Sequence, residues 1–208
     1  MKIVWEIVAV IFSISLFIVV FFSIYMYNQS KNDFINSFKY SSTREIIQAE
    51  NTIEIFFESL KENVKLLSIL PELIEIDEDF TSFLISDLEG KKTLPVYDSD
   101  IEKNLLSRFE DFLQTHSKTT MVYFGTKWGG YIEYPIIPIG SDYDPRIRPW
   151  YLKAMENPGE VSLTDPYITL FSENPQIGAV VTVNDKDNNI IGVQGINICP
   201  FWILNTGG

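Results

Sequence analysis

The sequence predicts an α+β protein in which helices precede an antiparallel sheet. Three patterns support this prediction: an uncharged apolar run near the N-terminus, a long stripe of apolar residues spaced three and four apart, and a C-terminal half in which apolar residues alternate with a period of two. Helices followed by a run of strands are typical of α+β domains.

The apolar run extends from Ile7 to Met26 and contains no charged residue, proline, glycine, asparagine or glutamine. A helix of this length rises about 30 Å, which is the thickness of the hydrocarbon layer of a membrane. A cleavable signal peptide is the alternative, but its apolar core is shorter and ends at a small-residue cleavage site that this sequence lacks. We therefore expect an uncleaved transmembrane helix over residues 7–27, whose orientation the few flanking charges do not decide.

A long amphipathic helix is predicted directly after the membrane segment. Apolar residues from Phe34 to Leu67 recur mostly at intervals of three and four, with polar residues between them. Pro71 ends the pattern because proline cannot continue the interior of a helix. Residues 28–71 would then form a stalk helix whose apolar stripe packs on a domain or on a second copy of the chain.

A further helix is predicted from Ile101 to Thr115, and four strands follow it. The strand sequences are rich in β-branched and aromatic residues and read TMVYFGT, GGYIEYPII, GAVVTVN and IIGVQGINI. The last two are joined by Asp185–Asn189 and form the clearest hairpin. A short helix starting at Pro149 and a loop separate the two pairs, and Glu89–Asp100 is predicted to be a loop.

The composition argues against several kinds of partner and chemistry. The net charge of -12 is carried entirely by the residues after the membrane segment, because Lys2 and Glu6 before it cancel. Nucleic acid and anionic lipid headgroups are therefore poor partners, since they require basic patches. Cys199 is the only cysteine, which excludes a multi-cysteine metal site. His116, the only histidine, ends a predicted helix with no nucleophile motif attached, and is expected to be a surface or cap residue.

A calcium loop is the nearest match to a metal site, and the match fails. Asp185, Asp187 and Asn189 occupy the first three ligand positions, but Ile190 stands where glycine is required and Ile196 where a glutamate should bind. An ordinary polar hairpin turn is the better interpretation. We expect no catalytic residue, no metal and no cofactor, and therefore no enzyme.

The stretch YDPRIRPWY, from Tyr143 to Tyr151, is the strongest candidate for a binding site. Pro149 fixes its own backbone and favours an extended conformation at Arg148, so the guanidinium would be held in place before a ligand arrives. A guanidinium matches a carboxylate with two charge-assisted hydrogen bonds, and aromatic rings exclude water. The alternative is that the arginines pair with Asp142 or Asp144, which we expect above all for Arg146.

The run GGYIEYP…YDPRIRPWYLKAMENPG…LTDPYI…GAVVTV…IIGVQGINI resembles the double Cache domain, the extracytoplasmic ligand-sensing module of bacterial and archaeal chemoreceptors, sensor histidine kinases and cyclases. The resemblance covers about Lys31 to Ile198 and is most specific from Tyr143 to Tyr167. It implies a stalk helix and two stacked PAS-like modules, with the ligand in the membrane-distal one. It also implies that everything after Asn28 lies outside the cytoplasm.

The resemblance sets the expected domain boundaries. Residues 1–6 would be a cytoplasmic N-terminus, 7–27 the single span of the plasma (inner) membrane, 28–71 the stalk, 72–199 the membrane-distal PAS-like Cache module in the extracytoplasmic or periplasmic space, and 200–208 the start of a membrane-proximal module. Because the family's second module, second membrane helix and output domain do not follow, we expect a chain that is truncated at its C-terminus.

The resemblance also implies a set of ligand-binding residues. Members that bind amino acids use a tyrosine, an arginine two residues before a Trp-Tyr pair, a later tyrosine and an aspartate in the final strand. The positions that match in this sequence are Tyr143, Arg148, Trp150, Tyr151 and Tyr167.

Asn197 stands where the family has its final aspartate. By alternation it should share a strand face with Ile191, Val193 and Gly195, and the missing side chain at Gly195 should leave space for a ligand. An asparagine can accept a hydrogen bond from an ammonium but cannot neutralise it. The ligand would therefore carry a carboxylate, and its amine would be absent, weakly bound or met by another acid such as Asp165.

The resulting expectation is a membrane-bound sensor domain that binds a small organic ligand with a carboxylate, amino-acid-like in character, and acts as a homodimer through its stalk helix. The alternative is a Cache sensor without direct small-molecule binding, which responds instead to a periplasmic binding protein.

Overall fold

The computed structural model describes residues 2–84, 92–140, 142–169 and 172–201. The chain divides into two compact units, Met1–Glu54 and Ile55–Gly208. The helices are α1 (Lys2–Ser68), α2 (Pro71–Ile74), α3 (Asp100–Thr115) and α4 (Pro149–Glu156). The strands are β1 (Lys92–Thr93), β2 (Thr119–Thr126), β3 (Tyr131–Tyr134), β4 (Ile139–Gly140), β5 (Ser162–Leu163), β6 (Ile177–Asn184) and β7 (Ile190–Ile198).

Both helices predicted near the N-terminus lie in the single helix α1. Its apolar run is long and apolar enough to cross a membrane, and the side chains of that run are exposed. α1 ends at Ser68, and Pro71 then occupies the first turn of α2, where its missing N–H is not needed. Pro71 therefore starts a new helix shortly after the point at which the sequence predicts the end of the long one.

The second unit is built on a five-stranded antiparallel sheet with the order β3-β2-β7-β6-β5. The four predicted strands are confirmed, but β3 stops at Tyr134 because Pro135 has no N–H to continue the ladder. β1 and β4 pair with each other as a separate two-stranded ladder. Strands β1, β4 and β5 were not predicted, since a strand of two residues carries no measurable periodicity. β1 lies within the predicted 89–100 loop, and residues 89–91 of that loop lie outside the described residues.

The turn between β6 and β7 is the polar hairpin that the sequence predicts. Asp185 accepts hydrogen bonds from the backbone N–H groups of Asp187 (2.9 Å) and Asn189 (2.8 Å), and Asn188 has a positive φ of 65°. An aspartate that bonds its own following backbone groups stabilises a turn. The carboxylate is occupied by the turn itself.

One face of the sheet, the helix face, packs against the distal part of α1 and against α2 and α3. Its core joins buried residues of the helices to the inward residues of every long strand; the helical members include Leu60, Val64, Leu67, Leu73, Leu105, Phe109 and Phe112. α3 starts at a capping box in which Ser99 accepts from the N–H of Glu102, and Glu102 in turn accepts from the N–H of Ser99. His116 is its C-cap residue and stacks on Phe112, as predicted for a cap.

The opposite face, the cavity face, packs against α4 and the loops around it. Its cluster is mainly aromatic and comprises Tyr123, Tyr131, Ile139, Tyr143, Trp150, Tyr151, Ala154, Val180 and Val193. Both faces of the sheet are thus covered, which explains why its central strands are buried along almost their whole length.

Two expectations about β7 are wrong. The register between β6 and β7 skips Ile191, and this bulge turns Ile191 into the core of the helix face instead of the face that holds Asn197. Gly195 leaves no space for a ligand, because Tyr123 lies directly opposite it in the register and an added Cβ would collide with the Tyr123 ring. The glycine therefore accommodates a tyrosine.

We expect Gly195→Ala to lower the free energy of unfolding by about 1–3 kcal/mol, because the new methyl group would displace the enclosed Tyr123 ring. Gly140→Ala is the matched control, since an added Cβ there has nothing within 4 Å. Urea unfolding of the full chain in detergent, followed by tryptophan fluorescence, would measure both. Equal midpoints for the two variants would contradict this account of Gly195.

Candidate functional site

Arg146 is neutralised within its own loop, as the sequence predicts. Residues Pro145–Ile147 form a single 3-10 turn, and Asp144 caps it by accepting from the backbone N–H of Arg146 at 2.9 Å. The guanidinium of Arg146 then binds both oxygens of Asp144, at 2.9 Å and 2.8 Å. This pairing lowers the pKa of Asp144, so the carboxylate stays charged and occupied.

Arg148 adopts the extended backbone that Pro149 favours, with φ -81° and ψ 147°, and forms the N-cap position of α4. Its guanidinium carbon lies 4.5 Å from the centre of the Tyr143 ring. Its Nε is buried and has no hydrogen-bond partner among the described residues. The pairing with Asp142 or Asp144 that we considered for both arginines is therefore seen for Arg146 and not for Arg148.

A cavity of about 150 Å³ lies beside this guanidinium. It is lined by Met121, Tyr123, Tyr131, Tyr143, Arg148, Pro149, Trp150, Tyr167, Ile168, Thr169 and Asn197. Ile168 is exposed and marks its mouth. A second cavity of about 310 Å³ adjoins it and shares Met121, Thr169 and Asn197.

Aromatic rings in mutual contact form the walls of the first cavity. The ring centres of Tyr131 and Tyr143 are 4.6 Å apart, and those of Tyr123 and Trp150 are 4.8 Å apart. Burial raises the pKa of Tyr143 to about 12, so its phenol remains protonated at neutral pH. Arg148 consequently faces the surface of a neutral ring and not an anion.

Asn197 lies on the wall of the cavity with both of its oxygen lone pairs occupied. Its Oδ1 accepts hydrogen bonds from the hydroxyl of Tyr123 at 2.9 Å and from that of Tyr167 at 3.1 Å. Burial raises the pKa of both tyrosines, which keeps the hydroxyls protonated as donors. Gly178 lies opposite Asn197 in the register, and a side chain there would press on the same hydroxyl and Oδ1.

The structure brings five of the seven predicted site residues to the cavity: Tyr143, Arg148, Trp150, Tyr167 and Asn197. Tyr151 is buried but does not line it, because consecutive residues of a helix point about 100° apart and Trp150 is the one that faces the cavity. Asp165 is exposed and also lies off the cavity. The role of the five in ligand binding remains a prediction.

Sequence reasoning missed Tyr123 and Tyr131, which supply much of the aromatic wall. The period-two pattern of β2 contained a signal for Tyr123, since it alternates with Val122 and Phe124, which both enter the helix-face core. The pattern alone could not show that the second face was a cavity wall and not simply a second core.

Glu133 is a buried acid that the sequence did not single out. It is completely inaccessible, its Oε2 accepts from the Tyr131 hydroxyl at 2.7 Å, and its Oε1 has no partner among the described residues. Burial raises its pKa to about 8, and the bond from Tyr131 opposes that shift without cancelling it. Glu133 lies one layer behind the cavity wall and is mainly neutral at pH 7.

Comparison with known proteins gives the class of the fold. No family model matches the chain. The chain is 27% identical over 157 residues to a probable methyl-accepting chemotaxis protein of Bacillus thuringiensis, covering 75% of this chain and 23% of that protein. It is 29% identical over 110 residues to the methyl-accepting chemotaxis protein McpA of Bacillus subtilis, covering 53% and 16%. The chain thus spans about a quarter or less of these relatives.

Solved structures agree with this class. The sensory domain of the Campylobacter jejuni chemoreceptor Tlp3, with isoleucine bound, matches with a TM-score of 0.55 and 18% identity over 76% of this chain and 57% of that one. The ligand-binding domain of the Pseudomonas aeruginosa chemoreceptor PctC, in complex with GABA, matches with a TM-score of 0.54 and 17% identity over 74% and 60%. The fold is that of chemoreceptor ligand-binding domains, and the resemblance to Cache-type sensor domains is confirmed.

Glu133 should make stability depend on pH. The folded chain holds a proton on Glu133 up to about pH 8, whereas the unfolded chain releases it near the ordinary value of 4.5, so the free energy of unfolding falls as pH rises through that window. The slope from this one group is about 1.4 kcal/mol per pH unit. Glu133→Gln should remove this slope, measured by urea unfolding at pH 5, 6, 7 and 8. The exposed Glu78→Gln is the control, and an unchanged slope in Glu133→Gln would contradict the assignment.

Proposed function

We propose that this chain is the extracytoplasmic sensor domain of a membrane-anchored signal-transduction receptor, and that the cavity beside Arg148 binds a small molecule bearing a carboxylate. The observation that carries the proposal is the buried Nε of Arg148, which lies at the wall of an aromatic cavity and has no hydrogen-bond partner in the ranges that the structure describes. A buried charged donor without a partner is destabilising, so such a group is typical of a site that is completed by a ligand. A carboxylate is the planar anion that a guanidinium matches best.

The comparisons with solved structures support a ligand that carries a carboxylate. Isoleucine and GABA, which are bound in two of the structural neighbours, both carry a carboxylate. A cavity of about 150 Å³ is large enough for a ring such as benzene, so the ligand would have the size of an ordinary amino acid, about six to eight non-hydrogen atoms. The relatives named as methyl-accepting chemotaxis proteins support a chemotaxis receptor as the larger protein.

The proposal includes a single N-terminal span of the plasma (inner) membrane, with the second unit outside the cytoplasm and two copies joined along α1. Support for the span comes from the exposed apolar run of α1. Support for pairing of copies comes from apolar residues of α1 that follow this run, share a face and remain exposed, such as Ile46 at 67% and Ile53 at 40%, seven residues apart. Such residues in a long helix are typical of a helix–helix seam. We propose no catalytic role for any residue.

The sidedness can be tested by cysteine labelling in intact cells. With Cys199→Ser as the background, Lys31→Cys should react with a membrane-impermeant maleimide, whereas Lys2→Cys should react only after the cells are opened. The two positions flank the apolar run on opposite sides, so each is the control for the other. The reverse pattern would place the second unit in the cytoplasm and refute the proposed location.

The ligand site can be tested with matched arginine variants of the full chain in detergent. In a thermal-shift screen of amino acids and short carboxylic acids, we expect at least one acid to raise Tm, because a ligand that binds the folded state stabilises it. Arg148→Ala should weaken binding of that acid at least 10-fold, since two charge-assisted hydrogen bonds are lost. Arg108→Ala, an exposed arginine on α3 that pairs with Glu72 and does not line the cavity, should leave the affinity nearly unchanged.

Two outcomes would contradict this proposal. Equal effects of the two arginine variants would show that Arg148 does not contact the ligand. If no acid stabilises the chain, the cavity has no direct carboxylate ligand, and a sensor that responds to a periplasmic binding protein becomes the better explanation.

A further inference from the structure

We infer that the ligand of this cavity is a small carboxylate without a cationic amino group, and that Asn197 is the residue that sets this preference. The inference rests on the proposed function and names the ligand class more narrowly. It follows from the hydrogen-bonding capacity that remains on each wall of the cavity after the contacts within the protein are counted.

The Arg148 side of the cavity carries a positive charge and no anion. A guanidinium carries N–H groups and no acceptor, and the neighbouring Tyr143 ring is neutral. This side therefore accounts for the carboxylate and repels an ammonium group. Any partner for an ammonium has to come from the other walls.

The Asn197 side cannot supply that partner. An amide oxygen has two lone pairs, and the hydroxyls of Tyr123 and Tyr167 already fill both of them. What Asn197 can still present is its amide N–H₂ group, which is a donor and complements an acceptor on the ligand. The two tyrosine oxygens can accept a hydrogen bond but carry no negative charge.

Among the residues for which the structure gives a position, no acidic side chain lines the cavity. Of those that line it, Arg148 is the sole charged side chain. Glu133 lies behind Tyr131 and is mainly protonated at pH 7, and Asp165 is exposed away from the wall. A ligand ammonium would therefore lose hydration without gaining a counter-ion. Burying a charge without a partner costs a large amount of binding free energy.

The remaining surface suits a neutral ligand body. Met121, Trp150 and Ile168 provide apolar contacts, and the tyrosine oxygens can accept from a hydroxyl group. A short alkanoate or a short 2-hydroxy acid meets these conditions. An α-amino acid does not, because its ammonium group has no partner.

The test compares amino acids with their desamino partners on the full chain in detergent at pH 7, by isothermal titration calorimetry. The pairs are alanine and propionate, valine and isovalerate, leucine and 4-methylpentanoate, and phenylalanine and 3-phenylpropionate, with 2-hydroxyisovalerate and isovaleramide added. We expect the best-bound pair to favour its desamino member at least 10-fold. The 2-hydroxy acid should bind about as well as isovalerate, and isovaleramide, which has no carboxylate, should bind at least 10-fold more weakly.

The result separates this inference from the proposed function. If the amino acid is the tighter member of the best-bound pair, the inference is overturned while the carboxylate site stands. If no acid of either series binds, the proposed function fails and the inference with it.

Asn197→Asp provides a second, independent readout. A carboxylate can accept the same two tyrosine hydroxyls on one oxygen and leaves the other oxygen, with its charge, for an ammonium. The variant should shift the ratio of amino-acid to desamino affinity at least 10-fold toward the amino acid. Asn104→Asp, an exposed position on α3, is the control for added charge and should leave the ratio unchanged. An unchanged ratio in a folded Asn197→Asp protein would refute the role of Asn197.

Discussion

The site depends on one separation of charge: Asp144 is paired with Arg146, and Arg148 has no acidic partner within the part of the chain that the structure describes. The chain holds 28 acidic residues against 16 basic ones, so an unpaired buried guanidinium nitrogen needs an explanation. The 3-10 turn supplies it, because it folds the Arg146 side chain back onto both oxygens of Asp144. Pro149 then holds Arg148 in extended backbone, which directs its side chain to the cavity face.

The opposite wall is organised by small residues that make room for large ones. Gly195 admits the Tyr123 ring across the strand pair, and Gly178 admits the Tyr123 hydroxyl and the Asn197 amide. The hydroxyls of Tyr123 and Tyr167 thereby converge on one oxygen, which fixes the amide and both rings together. These contacts hold the wall in its shape without a ligand, and a preformed wall would lose less conformational entropy if a ligand bound.

Much of the fold could be predicted from the sequence because its long elements have clear periods. The stripe of α1, the helix α3 and the four long strands were all visible. The spacing predicted the pairing of Arg146 with a nearby acid, which is confirmed, but it left the pairing of Arg148 open. The errors lie where a single residue changes direction. The bulge at Ile191 turns the Ile191 side chain to the helix face of the sheet. The residue opposite Gly195 is set by the register between β2 and β7, which the sequence does not show. The burial of Glu133 was not predicted, because an acid in a strand is normally assigned to a solvent-facing position.

The position of the cavity bears on how a bound ligand could act on the long helix. Tyr123 and Asn197 face the cavity from β2 and β7, while their neighbours Val122, Phe124, Ile196 and Ile198 face the other way. Those four residues belong to the same core as Leu60, Val64 and Leu67 of α1. A single layer of sheet therefore separates the cavity wall from the distal part of α1. Because packed interiors are nearly incompressible, a shift of β2 or β7 would be transmitted through that core to α1. In a receptor that signals through α1, this layer of sheet would connect the proposed ligand site to the helix.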